Sequence, residues 1–166
     1  MANLKLREPL IDAVIAKLKA GYSTRVTTIN AADTLGIAIA APSDADYYYG
    51  RARDIPRVPA LVVCGMPGSD FNEEGAHSFL FSTLIAVIAI DEDSDVSRLA
   101  RKLDRHERAI LETLWDDEPK EALTGSAYRL FPQEDTLSPV HEPRDSGSAP
   151  YRSWVGVVFS ATQTEG

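Results

Sequence analysis

The run SFLFSTLIAVIAI, residues 78–90, is rich in β-branched residues and apolar at most of its positions. Successive side chains of a strand point to opposite faces, so both faces of this run are largely apolar. The pattern predicts a central strand with both faces mostly covered. The acidic run DEDSD, residues 91–95, then ends the strand and offers helix N-caps, whose carboxylates suit the positive end of a helix dipole.

Beyond the acidic run, apolar residues recur at three- and four-residue steps, which predicts one amphipathic helix that ends near Asp116. About twenty residues of helix span about 30 Å, close to the length of the strand before it, so the two elements can pack side by side. The stripe expected in the core is Val96, Leu99, Ala100, Leu103, Ile110, Leu111 and Leu114.

An earlier apolar stripe predicts a first helix, with Pro9 in its early turns and Gly21 as its C-terminal stop. Residues 22–30 and 35–40 are strand-like in composition, and a hairpin near residues 30–34 is weakly signalled. The stripe of the first helix consists of Leu6, Leu10, Ile11, Val14, Ile15 and Leu18.

Three more strands are predicted along the chain, at residues 58–64, 127–131 and 152–161. The first begins with Pro59, as the lost N–H of proline requires, and ends at the turn-forming residues 65–68. The last shows the two-residue alternation of a strand with one face in the core, and the tail after it is expected to fray.

These elements define an α+β fold. We expect a single domain over residues 1–166, with a mixed, mostly antiparallel β-sheet of about five strands and two main helices packed on it. Two extended loops are expected, at about residues 42–57 and 132–150, because both are rich in turn formers and polar residues. Loops of this length are usually functional or disordered.

Composition narrows the class of protein. The hydrophobic fraction of 44% is typical of a globular chain, no apolar run is long enough to span a membrane, and the first residues lack the apolar core of a signal peptide. One cysteine, Cys64, excludes an internal disulfide and suits a reducing compartment such as cytoplasm. The formal net charge of −8 argues against binding nucleic acid through nonspecific phosphate contacts.

The sequence contains no motif typical of a catalytic or metal site. Cys64 lies at the end of an apolar strand, where a buried, inert thiol is more common than a nucleophile. His77, His106 and His141 have no metal-ligand spacing, and the acidic run lacks the glycine and glutamate of a calcium-binding EF-hand loop. Phosphate-binding and nucleophile motifs rich in glycine are also missing. We therefore expect no catalytic, cofactor-binding or metal site, and no enzyme.

The second helix carries five cations, interleaved with Asp104, Glu107 and Glu112. The mixture favours a solvated face or a contact with an acidic partner subunit over DNA binding. The cations are Arg98, Arg101, Lys102, Arg105 and Arg108.

The first extended loop contains the candidate interface. Tyr47, Tyr48 and Tyr49 stand next to Arg51 and Arg53, and these two residue types dominate the hot spots of protein interfaces because they combine large area with polar tips. The competing interpretation is an edge strand, or loose packing on the surface of the domain.

The order of elements resembles the tail terminator (tail completion) proteins of long-tailed phages. The resemblance is carried by an N-terminal helix on LREPLIDAVIAKL, a PALVV strand, the strand and helix of residues 78–114, and a closing WVGVVFSA strand. It covers most of the chain as order and pattern, without a signature motif, and the two long loops exceed what a minimal member of that family needs.

The resemblance implies a structural virion protein at the junction of tail and head, assembled in the host cytoplasm. Its partners would be copies of itself in a ring, commonly of six, the tail tube protein and the head–tail connector protein. DNA would pass through the lumen as cargo, and the family performs no reaction and binds no cofactor or membrane. Residues 47–53 and 132–150 then become candidate contacts with a neighbour or with the tube.

Two other classes stay open from the sequence. One is another phage neck or head-completion component, which would meet the head connector instead of the tube. The other is a small cytosolic α/β domain that binds a ligand or catalyses a reaction. A deep pocket with converging reactive groups would favour this second class.

Overall fold

A computed structural model describes residues 7–50, 55–73, 79–115, 128–133 and 150–165. Along the chain these form helix α1 (Arg7–Ala31), strands β1 (Tyr47–Tyr49), β2 (Ala60–Glu73) and β3 (Phe79–Asp93), helix α2 (Val96–Leu114), and strands β4 (Tyr128–Pro132) and β5 (Tyr151–Glu165). A short 3₁₀ turn, Asp44–Asp46, leads directly into β1.

The strands form one five-stranded sheet in the order β1-β2-β3-β5-β4. The central strand β3 pairs antiparallel with β2 on one side and with β5 on the other, and β4 also runs antiparallel to β5. Only the short β1 runs parallel to its neighbour, β2. The predicted fold is thus confirmed as α+β, with two helices on a mostly antiparallel mixed sheet.

Both helices pack on the same face of the sheet. Odd-numbered residues of the central strands, such as Ile85, Val87 and Val157, join the buried residues of α1 and α2 in one cluster. On the opposite face, Val62 and Ile90 form a smaller cluster with Ile55. Odd- and even-numbered residues of β3 are both buried, which explains why its sequence is apolar almost throughout.

The stripe of α2 is confirmed in part. Four members of the predicted stripe are buried, but Val96, in the first turn, is 42% exposed, and Ala100 and Leu111 are half-buried. The buried four are Leu99, Leu103, Ile110 and Leu114.

The first helix does not end at Gly21 as predicted, because α1 continues to Ala31. Tyr22, Val26 and Ile29 are buried and extend the apolar stripe at helical steps. Aromatic and β-branched residues favour strands in isolation, but packing of the buried stripe overrides that weak propensity. The predicted strand over residues 22–30 is therefore wrong.

The predicted strand at residues 35–40 is also wrong, since this segment joins no sheet in the described part of the chain. Side chains of α1 and of the residues after it, and not a partner strand, form hydrogen bonds with the backbone of this segment. The Asn30 amide nitrogen donates to the Ile39 carbonyl oxygen at 2.8 Å, and the Asn30 amide oxygen accepts from the Ile39 N–H at 3.0 Å. Asp33 accepts from the N–H groups of Leu35 and Ile37.

Strand β2 does not stop at residues 65–68, as the turn-forming residues suggested, but continues to Glu73. The glycines and proline fall where the pairing with β3 shifts register, between Gly65 and Ser69. Bulges in an outer part of a sheet tolerate both residue types. A Cβ on Gly65 would lie 2.5 Å from Cδ of Arg7, so a larger residue at this position would have to displace the Arg7 side chain.

Strands β3 and β5 both extend beyond their predicted C-terminal ends. β3 runs through the acidic residues to Asp93, and β5 runs to Glu165, so the expected fraying of the tail is wrong for residues 162–165. The two strands pair along their whole length, from Phe79 opposite Glu165 to Asp93 opposite Tyr151. A full ladder of backbone hydrogen bonds stabilises polar residues that the sequence alone places in turns.

Candidate interface at the edge strand

The three tyrosines of the candidate interface form β1, at one edge of the sheet. They pair with Leu61, Val62 and Val63, so these three positions form an edge strand and not a loop, while their part in an interface stays a prediction. The rest of the predicted loop at residues 42–57 contains the 3₁₀ turn and residues 55–57, whereas Arg51 and Arg53 lie outside the described residues.

The tyrosines point in different directions. Tyr47 packs against the helix-side cluster, with the Lys19 ammonium 5.6 Å from its ring centroid, and burial raises its pKa. Tyr48 packs on the opposite cluster. Tyr49 is 54% exposed, so it is the member of the trio that is most available to a partner.

Asp46 fixes this edge of the sheet. Its carboxylate, 5% exposed as a residue, accepts hydrogen bonds from the hydroxyls of Ser43 and Tyr48, and forms an ion pair with Arg57 at 3.1 Å. The hydrogen bond from Ser43, with those from Tyr48 and Arg57, lowers the pKa of Asp46 despite its burial. Burial and the hydrogen bond to Asp46 raise the pKa of Tyr48.

A cavity of about 500 Å³ opens beside this corner. Four charged residues line it, in two ion pairs: Asp46 with Arg57, and Glu92 with Arg152 at 3.2 Å. The second pair joins residues that are direct neighbours across β3 and β5. Sequence reasoning missed all four residues, because strand register and a chain reversal bring together positions that are far apart in sequence.

The other edge of the sheet also has free backbone groups. The N–H of Gln133 donates to the carbonyl oxygen of Val158, so the backbone groups of Val158 face the β4 side. Orientation alternates along a strand, so those of Trp154 and Gly156 face the same way. β4 pairs only with residues 159–163 of β5, and no described strand covers residues 151–157 on that side.

The cations of α2 are largely used within the chain. Four of the five form ion pairs with carboxylates of the same chain, whereas Arg101 is exposed and forms none within the described residues. Such neutralisation leaves little positive charge for phosphates. The partners are Asp93 for Arg98 and Lys102, Asp33 for Arg105, and Glu112 for Arg108.

A buried polar network joins α1, β3 and α2. His106 is 1% exposed, with Nδ1 2.6 Å from the Tyr22 hydroxyl and Nε2 3.0 Å from an oxygen of Asp91. A carboxylate only accepts hydrogen bonds, so Nε2 donates to Asp91, and in that tautomer Nδ1 accepts from the Tyr22 hydroxyl. The Lys102 ammonium lies 3.9 Å from Asp91 and 3.0 Å from Asp93.

The acidic run has two separate roles. Asp95 is the N-cap of α2 and accepts from the N–H of Arg98 at 2.8 Å, as predicted for this run. Asp91 and Asp93 are buried in the network instead. Burial alone would raise the pKa of Asp93, but hydrogen bonds from Lys102, the Asp95 N–H and Arg98 lower it to about 2.

The lone thiol has no histidine to activate it among the described residues. Cys64 follows the alternation of β2 to the face opposite the helices, whereas His106 lies buried between the helices and the sheet. Burial raises the pKa of the Cys64 thiol, which disfavours the thiolate. His77 and His141 lie outside the described residues, within which no group of three potential metal-ligating side chains occurs.

The described part of the chain therefore defines an α+β protein whose helices cover one face of a five-stranded sheet with partly open edges. The sequence matches no model of a protein family and shows no significant similarity to a curated protein. No helix within the described ranges is long and apolar enough to cross a membrane.

Proposed function

We propose that this protein is a tail terminator of a long-tailed phage. It is a structural protein of the virion that ends polymerisation of the tail tube by forming a ring on the tail, and the ring then offers the surface to which the head is joined. Its partners are further copies of the chain, the tail tube protein and the head–tail connector protein, with DNA passing through the lumen.

The observation that carries the proposal is that the sheet has two unlike edges whose backbone groups are not paired by any strand within the described ranges. A ring requires heterologous contacts, in which one patch of each subunit meets a different patch of the next. One edge is the short strand β1 with exposed Tyr49, and the other includes the part of β5 that β4 does not pair with, where Trp154 is 37% exposed. Unlike edges on opposite sides of one sheet suit such contacts between neighbours.

Backbone geometry supports the first edge. The N–H of Gly50 donates to the carbonyl oxygen of Val63, so by alternation the backbone groups of Tyr49 face away from β2. Tyr49 thus offers, at the same position, an exposed aromatic ring and backbone groups that no described strand pairs with. The net charge of −8 and the paired cations of α2 also suit a ring through which DNA passes without being held.

The native mass of the protein over a wide range of concentration tests the proposal. We expect a ring-sized species, near six subunits, at high concentration or in the presence of tube protein. Tyr49→Ala should lower the fraction of this species at least tenfold, since interface aromatics are frequent hot spots. A stable dimer as the largest species, with or without tube protein, would reject the ring.

Leu35→Ala is the matched control. Leu35 is also a large, exposed apolar residue, at 59%, but it lies in the segment after α1 and away from the sheet edges. This variant should keep the ring, and both variants should keep the thermal midpoint of the wild type. Equal loss of the ring in both variants would show that β1 has no special part in assembly.

A second candidate function is ligand binding by a small α/β domain. The observation that favours it is the charged cavity beside β1. A monomer that binds a ligand there, with no ring formed in the presence of tube protein, would support this candidate over the terminator.

A further inference from the structure

We propose that the cavity beside β1 is a binding site for a carboxylate group. This inference does not depend on ring formation, since it rests on the side chains that line the cavity. The ligand is either an acidic side chain of a protein segment or a small free carboxylate, because both present the same chemical group.

The first argument is an excess of hydrogen-bond donors. A guanidinium has five N–H donors. Arg152 donates one from Nη1 to the Ile55 carbonyl oxygen at 3.0 Å and one from Nη2 to Glu92 at 3.2 Å, and its buried Nε has no acceptor. Arg57, whose side chain is 64% exposed, has an ion pair with Asp46 through Nη2. Both arginines thus retain donors for an incoming group.

The second argument is that three of the four carboxylate oxygens in the wall of the cavity already have partners. Asp46 accepts from Ser43 and Tyr48 and also contacts Arg57, so both of its oxygens have partners. Glu92 accepts from Arg152 through Oε2, so only its Oε1 has no partner among the described residues. A ligand that brought further donors would find few free acceptors. A ligand with two acceptor oxygens in one plane matches the fork of a guanidinium.

The third argument is charge and shape. The two arginines and two carboxylates of the wall cancel, so a group with one negative charge meets less repulsion from Asp46 and Glu92 than a doubly charged phosphate does. The remaining wall includes the apolar side chains of Pro56, Val58 and Pro59, which suit the methylene groups that carry a carboxylate.

The test is a titration of isotope-labelled full-length protein followed by amide chemical shifts. The probes are a blocked hexapeptide with three glutamates, the same peptide with glutamines, glutarate and inorganic phosphate. We expect saturable shifts around Arg57 and Arg152 with the glutamate peptide, and affinity at least tenfold lower for the glutamine peptide. Glutarate binding as tightly as the peptide indicates a small carboxylate ligand, whereas weaker binding indicates an acidic protein segment.

Arg57→Gln should weaken binding of the glutamate peptide at least tenfold, because it removes charge-assisted hydrogen bonds. Arg108→Gln is the matched control, since Arg108 is 60% exposed and also paired with a carboxylate, but lies on α2. Both variants should fold, because Asp46 keeps its hydrogen bonds from Ser43 and Tyr48 in Arg57→Gln, and neither change removes a contact of Arg152. Equal losses in the two variants, no saturation with either carboxylate, or tighter binding of phosphate would overturn the proposal.

Discussion

At the scale of single residues, the most constrained group is the buried network around His106. Tyr22, His106 and Asp91 come from three elements, and each ring nitrogen of the histidine has one partner. Burial raises the pKa of Tyr22 well above its ordinary value, so the hydroxyl keeps the proton that it donates. The network therefore specifies one arrangement of α1, β3 and α2.

Tyr22→Phe tests this network. The change leaves Nδ1 of His106 buried without a donor, which should cost about 1–3 kcal/mol of the free energy of unfolding. Urea denaturation measures the loss. Tyr49→Phe is the control, because it removes a hydroxyl from an exposed side chain and should change stability by less than about 0.5 kcal/mol. Equal stability of the two variants would mean that the Tyr22 hydroxyl contributes nothing.

The lowered pKa of Asp93 predicts how the stability of the protein depends on pH. Its pKa of about 2 in the folded protein lies below the ordinary value of 3.8, so the folded state favours the ionised carboxylate. The resulting stability is fully present above about pH 4 and is lost as the pH falls through about 2. Asp93→Asn should flatten this part of the profile of unfolding free energy against pH, which urea denaturation at a series of pH values measures. A wild-type slope retained in Asp93→Asn would contradict this assignment.

At the scale of elements, α2 shows which positions of an apolar stripe are in the core. Leu103 is 3% exposed and belongs to the core cluster of the helices and the sheet, whereas Val96 is 42% exposed at the first turn. The sequence gives both residues the same helical spacing and therefore predicts both as core. Only the position of the helix over the sheet separates them.

Truncation of these two residues should have unequal costs. Leu103→Ala should lower the free energy of unfolding by about 2–5 kcal/mol, because a cavity replaces buried methyl groups. Val96→Ala should cost less than about 0.5 kcal/mol, as expected for a surface position. Chemical denaturation compares the two, and similar losses would show that Val96 belongs to the core in solution.

At the scale of the whole molecule, the helices cover one face of the sheet and the edges stay partly open. The opposite face has a smaller cluster at the β1 side, where Ile55, Val62 and Ile90 meet, and the charged cavity adjoins it. Assembly through the edges and ligand binding in the cavity therefore use neighbouring but different surfaces. Tyr49→Ala and Arg57→Gln should be separable for this reason, since each removes groups from one surface only.

The sequence alone determined the elements with strong, long periodicity. β3 and α2 were predicted within a few residues, because a doubly apolar strand and a capped amphipathic helix each have a pattern that few other structures satisfy. The sheet of about five strands with two helices followed from the order of these patterns.

Only the tertiary structure decided the rest. Residues 22–31 are helical because Tyr22 and Val26 are buried in the core cluster that the helices share with the sheet. Strand β2 continues through its glycines and proline because it pairs with the long β3. The cavity and the network join side chains through strand register and helix placement. Such contacts between distant positions depend on the free energy of packing, which local residue preferences do not determine.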